Sequence, residues 1–308
     1  GDIARSQAVY EAILRAEPDN AQAWHLLGVA ALQQGNAAKA KEMIVRAIAL
    51  HEGDPQFHNN LGEAMRALGH HGEALESYRR ARHLAPGFAV AISNEGAANL
   101  ALGQGPAAIQ CFRDAMGADG DNVPARVNLG LALLGEGDQD GALNVLTAAL
   151  NLQPDNLEIA QYFAMAAADA PAQAFDGAAA AAIETLFQGA GLDLQKLVRP
   201  ALSILARRGV QKRLQQARDG DIARGIHDDD LNDPLLQALR ARTVIANAAV
   251  EAILRRLRRL CLMGGGGLIQ RLPGFATALA QQCFITDYAY DEGAEETAAV
   301  GDLSLEAE

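Results

Sequence analysis

The chain has 308 residues, half of them apolar and only 5% aromatic, and carries a net charge of −12. This is enough apolar material for more than one packed core, while the excess negative charge excludes general affinity for nucleic acid or anionic lipid. No segment approaches the roughly 18–20 continuous apolar residues that a membrane-spanning helix needs, and the opening GDIARSQAVY lacks the basic start and apolar stretch of a secretion signal. Ala and Leu dominate and β-branched runs are nearly absent, so the fold class is all-α. Three widely separated cysteines, Cys111, Cys261 and Cys283, suit free thiols in a reducing cytoplasm.

In chain order, a partial unit ending at Pro18 comes first, and then a 34-residue period begins. Gly28, Gly62, Gly96 and Gly130 share that spacing, as do Gly35, Gly69, Gly103 and Gly137. Two alanine columns, Ala40, Ala74, Ala108, Ala142 and Ala47, Ala81, Ala115, Ala149, keep the same register. Small residues at the first and third columns let two helices approach closely. The second glycine column ends the first helix of each pair, and Pro86 or Pro154 stops the second. The units fall at 21–54, 55–88, 89–122 and 123–156, with a last helix over 157–168. Glu95 in place of an apolar residue, and Gly120 in place of a proline, predict a looser third unit.

The period and the residues Trp24, Leu27, Gly28, Ala40 and Ala47, followed by Leu61, Gly62, Ala74, Tyr78, Ala81 and Pro86, resemble the tetratricopeptide repeat. That resemblance implies a right-handed superhelical solenoid over 1–170, whose first helices line a concave face that takes a protein or an extended peptide. Mapped onto this chain, the groove positions include His25, Gln56, Asn59, Asn60, Glu63, Arg66, Ser93, Asn94, Val127 and Asn128. Asn60, Asn94 and Asn128 form one column, similar to the asparagine ladder in the repeats of O-linked N-acetylglucosamine transferase. Each amide can pair with both a C=O and an N–H of a peptide backbone. A clamp for carboxylate-terminated chaperone tails needs several cations, and Arg66 is the lone one at these positions. The histidines, among them His25, His51, His58, His70, His71 and His83, do not converge on one helix face, so no metal site is expected.

After Ala170 the period stops. Residues 171–190 read as a linker around a short Ala-rich helix, and 191–308 as a smaller irregular helical domain with an acidic carboxy-terminal tail. Helical apolar spacing covers 192–206, 210–218, 234–245, 248–262 and 275–284, and Asp233 before Pro234 is a good helix start. Net charge is −12 over 1–195, +8 over 196–271 and −8 over 272–308. Arg255, Arg256, Arg258 and Arg259 surround an apolar stripe, a pattern of a docking or solvated face.

The strings DPLLQALRARTVIANAAVEAILRRLRRLCL and FATALAQQCFITDYAYDEGAEETAAV resemble the flank of bacterial tetratricopeptide proteins that continue into an S-adenosylmethionine-dependent methyltransferase domain. Thr286, Asp287 and Tyr288 stand where those relatives usually carry Asn-Glu-Tyr. The resemblance implies S-adenosylmethionine for a following domain, with no cofactor and no catalytic residue in this chain. Gly264 to Gly267 follow an Arg-rich helix and no strand, which fits a loop rather than a cofactor cradle. The expected function is therefore a partner-recruiting scaffold. The alternative is a free-standing adaptor whose helical domain forms a homodimer.

Overall fold

The computed structural model describes residues 2–175, 177–189, 192–209, 233–242 and 277. Its described elements are helical, and they divide into two compact units, Gly1–Leu152 and Gln153–Glu308.

The first unit comprises α1 (Asp2–Ala16), α2 (Ala21–Gln33), α3 (Ala37–Leu50), α4 (Pro55–Ala67), α5 (His71–Leu84), α6 (Ala89–Ala101), α7 (Gly105–Ala118), α8 (Val123–Gly135) and α9 (Gln139–Leu152). Each helix packs on the next, so the unit is a solenoid of helix pairs. Starts are set by side chains: Asn20, Asn36, Asp54 and Asn122 accept first-turn amides of α2, α3, α4 and α8. Ends of first helices are set by Gly35, Gly69, Gly103 and Gly137, with φ of 75°, 79°, 73° and 81°.

Within each pair the mid-helix glycine accommodates one large side chain of the second helix. A Cβ on Gly28, Gly62, Gly96 or Gly130 would lie 2.5–2.7 Å from Ile44, Tyr78, Phe112 or Leu146 respectively. These four partners recur at the same 34-residue spacing and are fully buried. Both alanine columns are also fully buried, which places the core along the seam of every pair.

The third unit is not looser at Glu95. Its side chain is 9% exposed and meets Arg79 Nε at 3.5 Å and Arg82 Nη1 at 3.2 Å, while Arg82 also holds Asp114. The column's missing apolar residue is replaced by an ion cluster joining α5, α6 and α7.

The second unit contains α10 (Leu157–Asp169), α11 (Gly177–Gln188), α12 (Val198–Arg207) and α13 (Pro234–Arg242), with 3-10 turns at Ala172–Ala174 and Leu194–Leu197. The segment read as a linker contributes packed side chains: α11 buries Ile183 and Phe187 and meets α12 and α13. Asp233 Oδ1 accepts the amides of Leu235 (2.9 Å) and Leu236 (3.2 Å), as a cap before Pro234 should. Arg208 bridges Glu184 and Asp233. The expected helices at 210–218 and 248–262 lie outside the described residues, as does 275–284 apart from Thr277. So do Arg255 to Arg259, Gly264 to Gly267, Cys261, Cys283 and the acidic tail. No helix among the described residues is long and apolar enough to cross a membrane.

Candidate functional site

The first helices of the pairs form a continuous row, because α2 touches α4, α4 touches α6 and α6 touches α8. Every groove position inferred from the sequence lies on this row. Gln56 and Arg66 are exposed; Asn60, Glu63, Asn94, Val127 and Asn128 are half-buried; His25, Asn59 and Ser93 are buried.

The structure joins four of these side chains end to end. Asn94 Nδ2 donates to Asn59 Oδ1 at 3.0 Å, Asn59 Nδ2 to Asn60 Oδ1 at 3.1 Å, and Asn60 Nδ2 to His25 Nε2 at 2.7 Å. An amide nitrogen only donates, so Nε2 accepts and the neutral ring carries its proton on Nδ1. That Nδ1 is buried with no hydrogen-bond partner. The ring stacks, tilted, on Phe57 with centroids 4.5 Å apart. Burial holds the imidazole below its ordinary pKa, partly opposed by the Asp54 carboxylate.

Two of the three bonds cross from one unit to the next, each spanning 35 residues. The same step would join Asn128 to Ser93, but no such bond occurs among the described residues; a serine hydroxyl sits closer to its own main chain than an amide reaches. The chain thus stops at Asn94. The asparagine ladder expected from the sequence is partly tied sideways: Asn60 retains one N–H and one lone pair, Asn94 one N–H and both carbonyl lone pairs, and Asn128 its full capacity. Sequence reasoning missed the lateral bonds. Their signal was the pairing of polar residues in adjacent columns, 25 with 60 and 59 with 94.

Glu63 accepts from the Tyr78 hydroxyl and from Arg66 Nη2, both at 2.8 Å. Burial first, then the Glu63 carboxylate, pushes the Tyr78 phenol far above its ordinary range. The bond to Glu63 raises the Arg66 guanidinium further above its ordinary value. The lone cation of the groove positions is therefore already paired with a carboxylate of its own helix.

Behind the row, Cys111 is a buried free thiol beside Asn99, Glu95 and Arg82. Burial, reinforced by Glu95, pushes it up to about 11, the direction that disfavours the nucleophilic thiolate. Among the described residues no group of three or more His, Cys, Asp or Glu is placed to hold a metal ion. The second unit has a cavity of about 350 Å³ beside Phe175, Ala180 and Ile204, where Glu184 and Arg208 pair with each other.

Residues 1–64 match a family model described as tetratricopeptide repeat, as do residues 55–88 and 94–157. The chain carries tetratricopeptide repeats. Solved structures similar to it include MamA, 23% identical over 51% of this chain and 92% of that chain, with a TM-score of 0.47. TTC0263, a thermophilic TPR protein of Thermus thermophilus, is 23% identical over 52% of this chain and 88% of its own, with a TM-score of 0.46. YrrB, described as a TPR protein with an unusual peptide-binding site, is 22% identical over 52% and 82%, with a TM-score of 0.45. These likenesses concern fold alone. No curated protein matches the chain. Within the repeats, Trp24 Nε1 donates to the Pro18 carbonyl at 2.8 Å, which anchors α2 to the turn before it.

Proposed function

We propose that the tetratricopeptide repeats hold an extended segment of another protein along α2, α4, α6 and α8. The observation that carries this reading is the unspent hydrogen-bonding capacity of Asn60, Asn94 and Asn128, one half-buried column on α4, α6 and α8. An extended backbone presents C=O and N–H groups in alternation, and amides pair with either without reading side chains. The neutralised Arg66 favours an internal, uncharged segment over a terminal carboxylate.

Peptides selected from a random displayed library against the full chain provide the test, with affinities measured by calorimetry. Substituting Asn94 and Asn128 together by Ala should weaken a selected peptide about tenfold, the worth of two modest net hydrogen bonds, with the circular dichroism spectrum unchanged. Equal affinity for the doubly substituted chain would remove the amide column from the reading.

The same proposal places the chain beside a catalytic domain. The strings at 233–262 and 275–300, which resemble the flank of bacterial methyltransferases, support a role in recruiting a protein substrate, with S-adenosylmethionine held by a following domain. A reading frame that continues past Glu308 into a Gly-rich strand and turn is the expected result; a stop codon there favours the adaptor instead. A reducing cytoplasmic setting belongs to this proposal, and the buried free thiol of Cys111 accords with it.

A further inference from the structure

Hydrogen-bonded side chains that share one direction constrain one another, because each terminal amide can turn only if its neighbours turn with it. Asn94, Asn59 and Asn60 all donate toward His25, whose Nε2 is the final acceptor. His25 is 3% exposed, so the histidine that ends the chain is shielded from any guest in the groove. We infer that His25 sets the hydrogen-bond polarity of the groove wall, so that Asn94 presents both carbonyl lone pairs and one N–H to a guest at neutral pH, and both N–H groups with one lone pair in acid. This inference rests on peptide capture only for its consequence, not for its geometry.

Protonation of Nε2 turns it from acceptor to donor and sets it against Asn60 Nδ2, 2.7 Å away. Rotating the Asn60 amide by half a turn about its last bond brings Oδ1 to His25 and Nδ2 to Asn59. Asn59 must rotate likewise, and then Asn94. No main-chain atom has to move, since exchanging amide O and N preserves the positions of both atoms. Before the change Asn94 Oδ1 has no hydrogen-bond partner; after it, Oδ1 accepts from Asn59 and both Asn94 N–H groups are unspent. The orphaned Nδ1–H is present in both states; its lack of a partner costs more once the ring is charged, which places the switch below the ordinary imidazole pKa.

The surroundings of His25 are fixed. On α4, Phe57 stacks on the ring, Asp54 at its cap favours the charged imidazolium, and Glu63 is engaged by Tyr78 and Arg66. His58 Nε2 is bonded to the Glu52 carbonyl, and His51, after α3, meets Phe57 edge to face. Among the described residues, no charged group of α1 or α3 acts on the ring.

Side-chain amide and imidazole resonances of the uniformly labelled full chain, followed by nuclear magnetic resonance from pH 7.5 to 4.5, test this without a guest. The ring nitrogens at pH 7.5 should show the proton on Nδ1. The NH2 signals of Asn59, Asn60 and Asn94 should shift with the midpoint of His25 itself, while that of Asn128, outside the chain, stays. His25→Gln, which keeps an acceptor but cannot titrate, should abolish the three shifts. A ring protonated on Nε2 at pH 7.5, an Asn94 amide indifferent to the titration of His25, or unfolding before His25 titrates would each overturn the inference. Peptide capture is tested separately by calorimetry, so failure of either proposal is distinguishable from failure of the other.

Discussion

Glu95 occupies the column of Leu27, Leu61 and Leu129, and the fold accommodates it by bringing two arginines to it. Removing a carboxylate from water is costly, and the return depends on keeping its partners. Arg82→Ala should therefore destabilise the protein by about 2–3 kcal/mol, below the roughly 3–5 kcal/mol of a fully buried pair, because Arg82 is one-third exposed. Glu95→Leu restores the column and should be neutral or stabilising. Urea denaturation measures both, and a loss of more than about 1 kcal/mol for Glu95→Leu would mean that the ion cluster, rather than apolar packing, holds α6. His25 makes a separate prediction. Its folded pKa lies below the ordinary 6.5, so the unfolded chain binds the extra proton first. The stabilisation from a neutral His25 is complete above about pH 6.5 and is lost as pH falls towards the folded value. His25→Gln should flatten that part of the stability curve, as thermal unfolding between pH 7.5 and 5 would show.

At the scale of the helix pair, the glycines have two distinct duties. Gly62 faces Tyr78, whose ring is pinned by its hydroxyl on Glu63, so an added Cβ 2.5 Å from that ring has little room. Overpacking of up to about 3 kcal/mol, less about 1 kcal/mol gained in helix propensity, leaves Gly62→Ala about 2 kcal/mol less stable. Gly69 meets nothing within 4 Å, but its φ of 79° disfavours any side chain, so Gly69→Ala should lose about 1 kcal/mol. The reverse order, read from chemical denaturation, would contradict the tight seam. These pairs were legible in the sequence because every repeat solves the same packing problem, which forces small residues to recur at fixed positions. The partners of the glycines, Ile44, Tyr78, Phe112 and Leu146, were less visible, since the site demands bulk rather than one residue type. The amide chain was hidden for another reason: each of its inter-unit bonds joins two different columns, and a search for identical residues at a 34-residue spacing passes over a 35-residue step. The role of α11 was hidden too, because its Ala-rich composition resembles a spacer until Ile183 and Phe187 are seen buried.

For the repeat unit as a whole, stability is a sum over pairs and their neighbours, so it should fall where a helix has fewer faces covered. The helices α2 to α8 each have a packed helix before and after them, and α4 to α7 are the innermost of these. In α1, Ile13 stands in the column of Ala47, Ala81, Ala115 and Ala149, each of which is fully buried, yet Ile13 is 36% exposed and Val9 one turn away is 53% exposed. An apolar column that is sealed in four pairs and open in α1 marks the weakest seam of this unit. Amide hydrogen exchange on the 308-residue chain should therefore show α1 opening first, at a cost well below that of global unfolding, with α4 to α7 protected longest. Making Ile13 polar should leave the urea midpoint of the remaining repeats nearly unchanged, because α1 packs chiefly against α2. If α1 instead exchanged as slowly as α5, opening would be concerted across the repeats, and the groove row would have to be treated as one cooperative body rather than as a series of separable pairs.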